Sequence, residues 1–288
     1  MNFEIRLCIA GLKGAEFLKA LIQAQVPIHS IASYSQPDDR SNGYQIINEL
    51  AARIGLLVKT TKSPDLGVNG LTFVVGWQYL FLACPPHVIV FHDSLLPRYR
   101  GFAPTVTAML NGDSVVGVTA LQLAADADAG PIVAQRTIPI IYPIKILQVL
   151  TLQAQAMAEL ALEIIHMAQT VGICGTPQDE KLATYSIWRD QADYQIDWSK
   201  SSHEIARLVD AVGFPYDGAS TRVNDLEIVV EDVTVLEDLH FERRDVGKIW
   251  RLDAHRPVVV CGVGLLRIDC FRPKDEKLFS IRNRMRFS

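Results

Sequence analysis

The chain has 288 residues, of which 49% are hydrophobic and 21% are charged, and its formal net charge is -4. This composition predicts a globular protein large enough for two modest domains, and the small negative charge argues against a general attraction to nucleic acid. No stretch reaches the roughly 18 uncharged apolar residues that a membrane helix needs, so we expect no membrane span.

The first half of the chain alternates between short apolar runs and segments with helical spacing. Strands are predicted at residues 4–10, 28–34, 71–75 and 88–91, and helices after Gly11 and over residues 44–54. Two β-rich runs at 116–123 and 131–138 precede a long apolar helix over 144–169. This alternation predicts an α/β domain with a parallel sheet covered by helices, over residues 1–171.

A segment rich in turn-forming and polar residues follows and predicts a linker over 172–200. Ser201, Ser202 and Glu204 offer N-capping chemistry for a helix that Gly213 ends. Five β-rich runs at 219–223, 227–235, 246–252, 257–261 and 265–271 then predict a small β-barrel domain over 201–288. We expect the basic tail at 277–286 to be a solvated terminus.

The five cysteines are scattered, with no Cys-x-x-Cys pair and no Cys/His cluster. This pattern predicts reduced core thiols in the cytoplasm and no bound metal. Charged residues within the first twenty positions, such as Arg6 and Lys13, argue against a secretory signal.

A histidine loop follows the strand predicted at 88–91. It reads His92-Asp93-Ser94-Leu95-Leu96-Pro97-Arg98-Tyr99-Arg100-Gly101. His92 therefore lies at the carboxyl end of a strand, where α/β proteins place their ligand sites and where an imidazole can move a proton near neutral pH. Taken alone, His92 is more simply interpreted as the cap of a strand end.

Asp128 lies in a loop between two predicted strands, so it can return to the sheet edge that carries His92. A carboxylate beside an imidazole favours the charged ring and orients it. An aspartate in a turn near glycine is the simpler interpretation of Asp128 alone. The combination of the two residues predicts an acid–base site.

Several motifs resemble those of the folate-dependent formyltransferases. In the first domain they are the His-x-Ser-Leu-Leu-Pro-x-Tyr-Arg-Gly core, Ala103-Pro104, Asn111-Gly112, Gly117-Val118-Thr119 and Asp128-Ala129-Gly130-Pro131. Three later motifs resemble the linker and second domain of methionyl-tRNA formyltransferase and of two-domain sugar N-formyltransferases: Ala183-Thr184-Tyr185, Ile196-Asp197-Trp198 and Pro215-Tyr216-Asp217-Gly218-Ala219.

The resemblance implies a Rossmann-like domain that binds 10-formyltetrahydrofolate and passes its formyl group to an amine, followed by an OB-like domain. His92 and Asp128 match the catalytic histidine and aspartate of the family. The segment expected to contact folate comprises Val75, Gly76, Trp77, Gln78, Tyr79 and Leu80, together with Asp126 in the loop before Asp128. Trp77 and Tyr79 can line the wall of the folate pocket, and packing in the hydrophobic core is an equally good interpretation of both.

This chain departs from the family two residues before the histidine, where Val90 replaces the usual asparagine. That asparagine is understood to donate a hydrogen bond to the oxyanion of the tetrahedral intermediate, and losing such a donor typically costs about 10²–10³ in rate. Three explanations stay open: a substitute donor, a changed reaction such as hydrolysis of 10-formyltetrahydrofolate, or a protein that only binds folate.

The acceptor is inferred from charge. Few basic residues surround the site to meet the phosphates of tRNA, whereas a nucleotide-linked amino sugar needs only one or two cations and an aromatic face. The expected acceptor contacts are Ser94, Arg98, Tyr99 and Arg100, and Trp188, Arg189, Tyr194 and Trp198 are further candidates. We therefore expect a sugar N-formyltransferase, with hydrolase, methionyl-tRNA formyltransferase and folate carrier as alternatives. The oligomeric state stays open, with a homodimer as one option.

Overall fold

A computed structural model describes residues 3–36, 39–223, 226–274, 281–282 and 285–288. The chain divides into two compact units. The first comprises Met1–Thr107, Ser114–Ile140 and Gln148–Trp188, and the second comprises Ala108–Asp113, Ile141–Leu147 and Arg189–Ser288.

In chain order, the elements up to residue 186 are β1 (Ile5–Ile9), α1 (Gly11–Gln23), β2 (Ile28–Ser33), α2 (Gly43–Arg53), β3 (Val58–Thr60), β4 (Leu71–Val75), β5 (Val88–His92), β6 (Arg100–Gly101), α3 (Pro104–Asn111), β7 (Val115–Gln122), β8 (Ile132–Pro139), α4 (Ile146–Thr170) and β9 (Tyr185–Ser186), with a short 3-10 helix at Glu180–Leu182. The later elements are α5 (Ser202–Ala211), β10 (Ala219–Val223), β11 (Leu226–Leu236), β12 (Ile249–Asp253), β13 (Arg256–Val260) and β14 (Leu265–Pro273).

Within the described residues, the first unit contains a seven-stranded sheet in the order β3-β2-β1-β4-β5-β7-β8. The predicted α/β architecture is confirmed, but the sheet is mixed. The five neighbouring strands β3, β2, β1, β4 and β5 are parallel. Strand β7 pairs antiparallel with β5 on one side and with β8 on the other. The short loop between β7 and β8 explains the last pairing, because a parallel crossover needs a dozen or more residues.

The strand order reverses between β1 and β4, which creates the crevice where open α/β sheets bind ligands. Gly76 directly follows β4 with a φ of +67°. A Cβ atom at this position would lie 2.5 Å from the carbonyl oxygen of Ala10, at the end of β1. Glycine therefore lets the two strand ends approach each other closely at the crevice.

The core of the first unit is built from apolar residues on alternating strand positions and on one face of each helix. Phe17 of α1 packs against Phe73 and Phe91, with ring centroids 6.3 and 5.5 Å apart. The opposite face of the sheet carries a buried cluster of Cys8, Ala32, Val74 and Val88, which we call the β-face cluster. This second face leads along β5 to His92, because side chains alternate across a strand.

The second unit contains a five-stranded antiparallel sheet in the order β10-β11-β14-β13-β12 among its described residues. The predicted capping of α5 is confirmed: the Ser201 hydroxyl accepts from the Glu204 backbone, and the Glu204 carboxylate accepts from the Ser201 backbone. Trp198 is 4% exposed inside this unit, where its indole donates to Thr221 Oγ1 at 2.9 Å.

The basic tail is only partly a solvated terminus. Residues 277–280, 283 and 284 lie outside the described residues, so the expectation for them stays a prediction. In contrast, Met285 accepts from the Ile249 backbone and Arg286 forms a β-bridge with Lys248, and the next residue, Phe287, is 2% exposed and donates its backbone N–H to Gly247. The end of the chain is therefore fixed to the sheet of the second unit by main-chain pairing and apolar burial.

The prediction of core thiols is correct for two cysteines and wrong for three. Cys8 and Cys261 are buried, and burial raises the pKa of each thiol to about 12. Cys84, Cys174 and Cys270 are exposed. Apolar neighbours in sequence do not ensure burial in loops and on the outer face of a strand.

Candidate active site

His92 is the last residue of β5 and is 6% exposed. Its Nε2 atom lies 2.8 Å from the carbonyl oxygen of Tyr99, at the far side of the loop that follows β5. The Ser94 hydroxyl donates to the carbonyl of Arg98 at 2.6 Å and closes this loop. The turn therefore folds back on the strand end and fixes the imidazole.

Asp128 reaches the same position from the loop between β7 and β8. Its Oδ1 atom lies 3.3 Å from His92 Nδ1, and its Oδ2 atom accepts from the Gly101 backbone at 2.9 Å. The φ of Asp128 is +55°, in the left-handed region that few residues adopt. Gln178 supports this conformation by donating to the carbonyls of Asp128 and Gly130 at 2.7 and 2.8 Å.

The structure thus brings together the histidine and the aspartate that the sequence indicated. Burial alone would lower the pKa of His92, but the hydrogen bond and charge of Asp128 and the charge of Asp93 raise it overall. Burial acts to raise the pKa of Asp128, and His92 lowers it overall. Because both imidazole nitrogens face acceptors, the ring is best satisfied as an imidazolium that donates from each nitrogen.

This ion pair predicts a window of pH in which Asp128 contributes to stability. Because the pKa of His92 is raised in the folded state, His92 contributes its full share to folding stability below about pH 6.5. This stabilisation is lost as the pH rises through the folded-state pKa. The lowered pKa of Asp128 means that its contribution is present above about pH 4 and is lost as the pH falls. Thermal melting of the parent and of Asp128→Asn should therefore differ most between about pH 4 and 6.5. A difference that keeps growing above neutral pH would contradict the ion pair.

A second polar network lies beside His92 and was not indicated by the sequence. Lys13 of α1 contacts Asp93 with a Nζ–Oδ2 distance of 2.8 Å, and Thr105 donates to the same oxygen at 3.1 Å. Thr105 also lies 2.9 Å from Gln153 Oε1, while the Gln153 amide donates to the carbonyls of Asp93 and Gly117. Burial acts to raise the pKa of Asp93, but the charges of Lys13 and His92 lower it overall.

One feature of the sequence, a glutamine on the buried face of α4, could have indicated part of this network. Gln153 is fully buried in α4, and the residues three and four positions away on the same face, Val149, Leu150, Ala156 and Met157, are buried and apolar. A lone amide on the buried face of such a helix needs partners. Its partners cannot be identified from sequence, since Asp93, Thr105 and Gly117 are 60, 48 and 36 residues away.

The segment predicted to contact folate begins inside the sheet and ends at the surface. Val75 is fully buried, whereas Tyr79 and Leu80 are 37% and 83% exposed, and Asp126 is exposed in the loop before Asp128. Gln78 donates its backbone N–H to the hydroxyl of Tyr34 at 3.2 Å. Burial of Tyr34 raises the pKa of that hydroxyl.

Trp77 lies over the β-face cluster, together with Phe81, Val90 and Leu123. Its ring forms an edge contact with Tyr34 and stacks on Phe81, with centroids 4.9 and 6.2 Å away. Val90 therefore lies in an apolar environment and offers no side-chain donor near His92.

The four residues expected to contact the acceptor have partners within the protein. Arg100 is 4% exposed and binds Glu180 and Gln178, and Ser94 and Tyr99 are buried. Arg98 lies over the Tyr99 ring and donates to its hydroxyl at 2.6 Å. In this structure these side chains hold the loop, and an acceptor contact by any of them stays a prediction.

Exposed aromatic residues lie on the outer side of this loop. The short strands β6 and β9 pair in parallel, and Phe102 and Trp188 at their ends form an edge contact with centroids 5.8 Å apart. Phe102, Tyr185 and Trp188 are 51%, 70% and 63% exposed. We call these three residues the aromatic platform; of them, only Trp188 was considered from the sequence. Tyr194 and Trp198 are buried inside the second unit.

Within the described part of the chain, no group of three or more His, Cys, Asp or Glu side chains is arranged to hold a metal ion. None of the described helices is both long and apolar enough to cross a membrane.

Comparison with known proteins gives matches along both halves of the chain. A family model described as formyl transferase matches residues 77–157, and one described as the formyl transferase C-terminal domain matches residues 189–287. The chain is 31% identical over 247 residues to methionyl-tRNA formyltransferase from Roseiflexus castenholzii, covering 80% of this chain and 77% of that protein.

Two solved structures share the fold. The sugar 3N-formyl transferase WlaRD, solved in the presence of dTDP and 5-N-formyl-THF, has a TM-score of 0.69 at 13% identity and covers 96% of this chain and 99% of its own. HypX from Aquifex aeolicus in complex with tetrahydrofolic acid has a TM-score of 0.65 at 18% identity over 96% of this chain, which spans 45% of HypX. The matches to both halves of the chain and the 31% identical relative show that the chain belongs to the formyl transferase family.

Proposed function

We propose that the protein transfers the formyl group of 10-formyltetrahydrofolate to the amine of a nucleotide-linked amino sugar. The observation that carries this proposal is the buried His92–Asp128 ion pair at the carboxyl end of β5, in a chain of the formyl transferase family. Such a pair can hold and move one proton inside a site that excludes most water.

Two features near this pair support a folate site. The segment from Gln78 to Leu80 is exposed, and Trp77 Nε1 is a buried donor without a partner among the described residues. These features support Val75, Gly76, Trp77, Gln78, Tyr79, Leu80 and Asp126 as residues that hold the donor. 10-Formyltetrahydrofolate supplies a formyl carbon that bonds to the acceptor nitrogen as its bond to N10 breaks.

Residues of the chain carry the proton transfer that accompanies this reaction. The acceptor amine loses one proton and N10 gains one, so no net proton is consumed. To give a proton toward N10 and recover one from the amine, His92 must turn its Nε2 N–H away from the Tyr99 carbonyl, while Asp128 keeps the ring charged. Gly101 and Gln178 hold the Asp128 loop in place during this exchange.

The aromatic platform supports a nucleotide-linked acceptor. Phe102 directly follows Gly101, whose backbone N–H donates to the Asp128 carboxylate. An exposed aromatic surface can stack on a base without needing many cations. The net charge of -4 also favours a small nucleotide over a long polyanion.

Methionyl-tRNA is the second candidate acceptor, because the 31% identical relative is a methionyl-tRNA formyltransferase. The test is to incubate the protein with 10-formyltetrahydrofolate alone, with a panel of nucleotide amino sugars, and with methionyl-tRNA, and to measure tetrahydrofolate release. We expect release that requires a nucleotide sugar. Release that requires methionyl-tRNA, or that occurs without any acceptor, would replace this proposal with the tRNA enzyme or the hydrolase.

The platform gives a separate prediction. Stacking on a base contributes about 1–3 kcal/mol, so Trp188→Ala should raise the KM for the nucleotide sugar about tenfold or more and change kcat less. Steady-state kinetics at saturating folate measure this effect. Trp250→Ala removes an aromatic of similar exposure in the second unit and is the matched control. Equal KM values for Trp188→Ala and the parent would show that the platform does not bind the acceptor.

We place the reaction in the cytoplasm, because all five cysteines, which lie in the described part of the chain, are free thiols.

A further inference from the structure

Trp77 carries a buried donor that the protein itself does not satisfy. Its Nε1 atom is inaccessible to solvent and has no hydrogen-bond partner among the described residues. The ring is held between Tyr34 and Phe81. A buried indole N–H normally finds an acceptor, and leaving one unpaired costs free energy. This atom therefore points to an acceptor that comes from outside the chain.

Trp77 lies one residue beyond the position after β4 that is level with His92 on β5. Strands β4 and β5 pair Val74 with Val90 and Val75 with Phe91, so the next step along both strands places Gly76 level with His92. Trp77 follows directly. Trp77 and Val90 both pack on the β-face cluster, and Val90 shares its face of β5 with His92. The indole thus covers the sheet face that leads to the catalytic histidine.

The side-chain donors of His92 and of Thr119 already have partners in this structure. The His92 nitrogens face Tyr99 and Asp128, and Thr119, which pairs with His92 across the sheet, donates to the carbonyl of Ser94 at 2.7 Å. Val90 has no donor. A formyl oxygen gains negative charge as an amine adds to its carbon, and a fixed donor that meets this charge lowers the barrier.

We propose that the Trp77 indole N–H donates a hydrogen bond to the formyl oxygen of the folate donor. Trp77 thereby supplies the donor that Val90 cannot, and it distinguishes a formylated folate from the unformylated product. This inference rests on the proposed function, since it requires a folate donor in the crevice.

The indole resonances of the protein test this bond without turnover. The chain has four tryptophans, and loss of one ¹⁵N–¹H indole signal in Trp77→Phe assigns Trp77. We expect 10-formyl-5,8-dideazafolate, a stable carrier of the same formyl group, to shift this signal downfield, and 5,8-dideazafolate without the formyl group not to do so. Trp198, whose indole already donates to Thr221, is the internal reference.

The experiment distinguishes failure of the Trp77 inference from failure of the proposed function. If both compounds bind by calorimetry but move the Trp77 signal equally, or not at all, the Trp77 inference is overturned and the folate proposal stands. If neither compound binds, the proposed function itself fails and the inference falls with it.

Kinetics give an independent readout. Trp77→Phe keeps an aromatic ring and removes the N–H, so kcat should fall about a hundredfold while the Kd for 5,8-dideazafolate changes less than about threefold. Adding Val90→Asn to Trp77→Phe should restore part of the loss. Trp250→Phe is the control for the substitution itself. An unchanged kcat, or equal weakening of both dideazafolates, would assign Trp77 a packing role instead.

Discussion

Replacing Asp128 with asparagine is expected to reduce kcat for formyl transfer by about 10²–10⁴-fold. The substitution keeps the shape and the acceptor for the Gly101 N–H but removes the charge that holds His92 as an imidazolium. The pKa of His92 should therefore fall, since Asp128 is the main influence raising it. Single-turnover kinetics and a histidine titration by NMR measure the two effects on one variant.

Asp190→Asn is the matched control, because Asp190 is exposed and its backbone contact to Ala192 can be kept by asparagine. His92→Gln combined with Asp128→Asn should cost little more than the larger single change, because the two residues act as a unit. If Asp128→Asn retains turnover within about threefold of the parent, the proton-shuttle assignment is wrong.

Replacing Lys13 with methionine is expected to destabilise the protein by about 3 kcal/mol, the lower end for breaking a buried ion pair. Lys13 and Asp93 are only 24% and 13% exposed, so removing the cation leaves the carboxylate uncompensated beside His92. Urea unfolding at neutral pH measures the loss. Adding Asp93→Asn to Lys13→Met should recover most of it, because the buried charge is then removed as well.

Lys19→Met is the control on the same helix. Lys19 is 51% exposed and pairs with Glu16 at 3.2 Å, so its loss should cost less than about 1 kcal/mol. Equal destabilisation by the two lysine changes would mean that the Lys13–Asp93 pair is no stronger than a surface pair.

Local patterns predicted most of the elements. The apolar runs of β1, β4 and β5 and the capping box of α5 act through neighbouring residues, and the structure has them within a few positions of the predicted bounds. The three-residue strand β3 and the short helix α3 were not indicated, because each is fixed by its packing partners more than by its own pattern. The antiparallel direction of β7 is likewise a property of the whole sheet.

Some residues of the candidate site could be identified from the sequence and others could not. His92 and Asp128 could be selected because strand ends and a recognisable loop mark them. The functions of Arg100 and Ser94 could not be predicted from the sequence. A charged or polar residue in a loop does not reveal that Glu180 or a loop carbonyl will bind it. The orphan N–H of Trp77 emerges only from three-dimensional packing, where Tyr34 and Phe81 enclose the ring.

The most direct test of the central claim follows the formyl group itself. The protein is incubated with 10-formyltetrahydrofolate that carries a ¹³C-labelled formyl carbon and with a nucleotide amino sugar, and the tetrahydrofolate and N-formyl sugar produced are measured in the same sample. We predict equal amounts of both products, with the label on the sugar nitrogen. Label that appears as free formate, at the same rate with and without the sugar, would contradict formyl transfer to this acceptor.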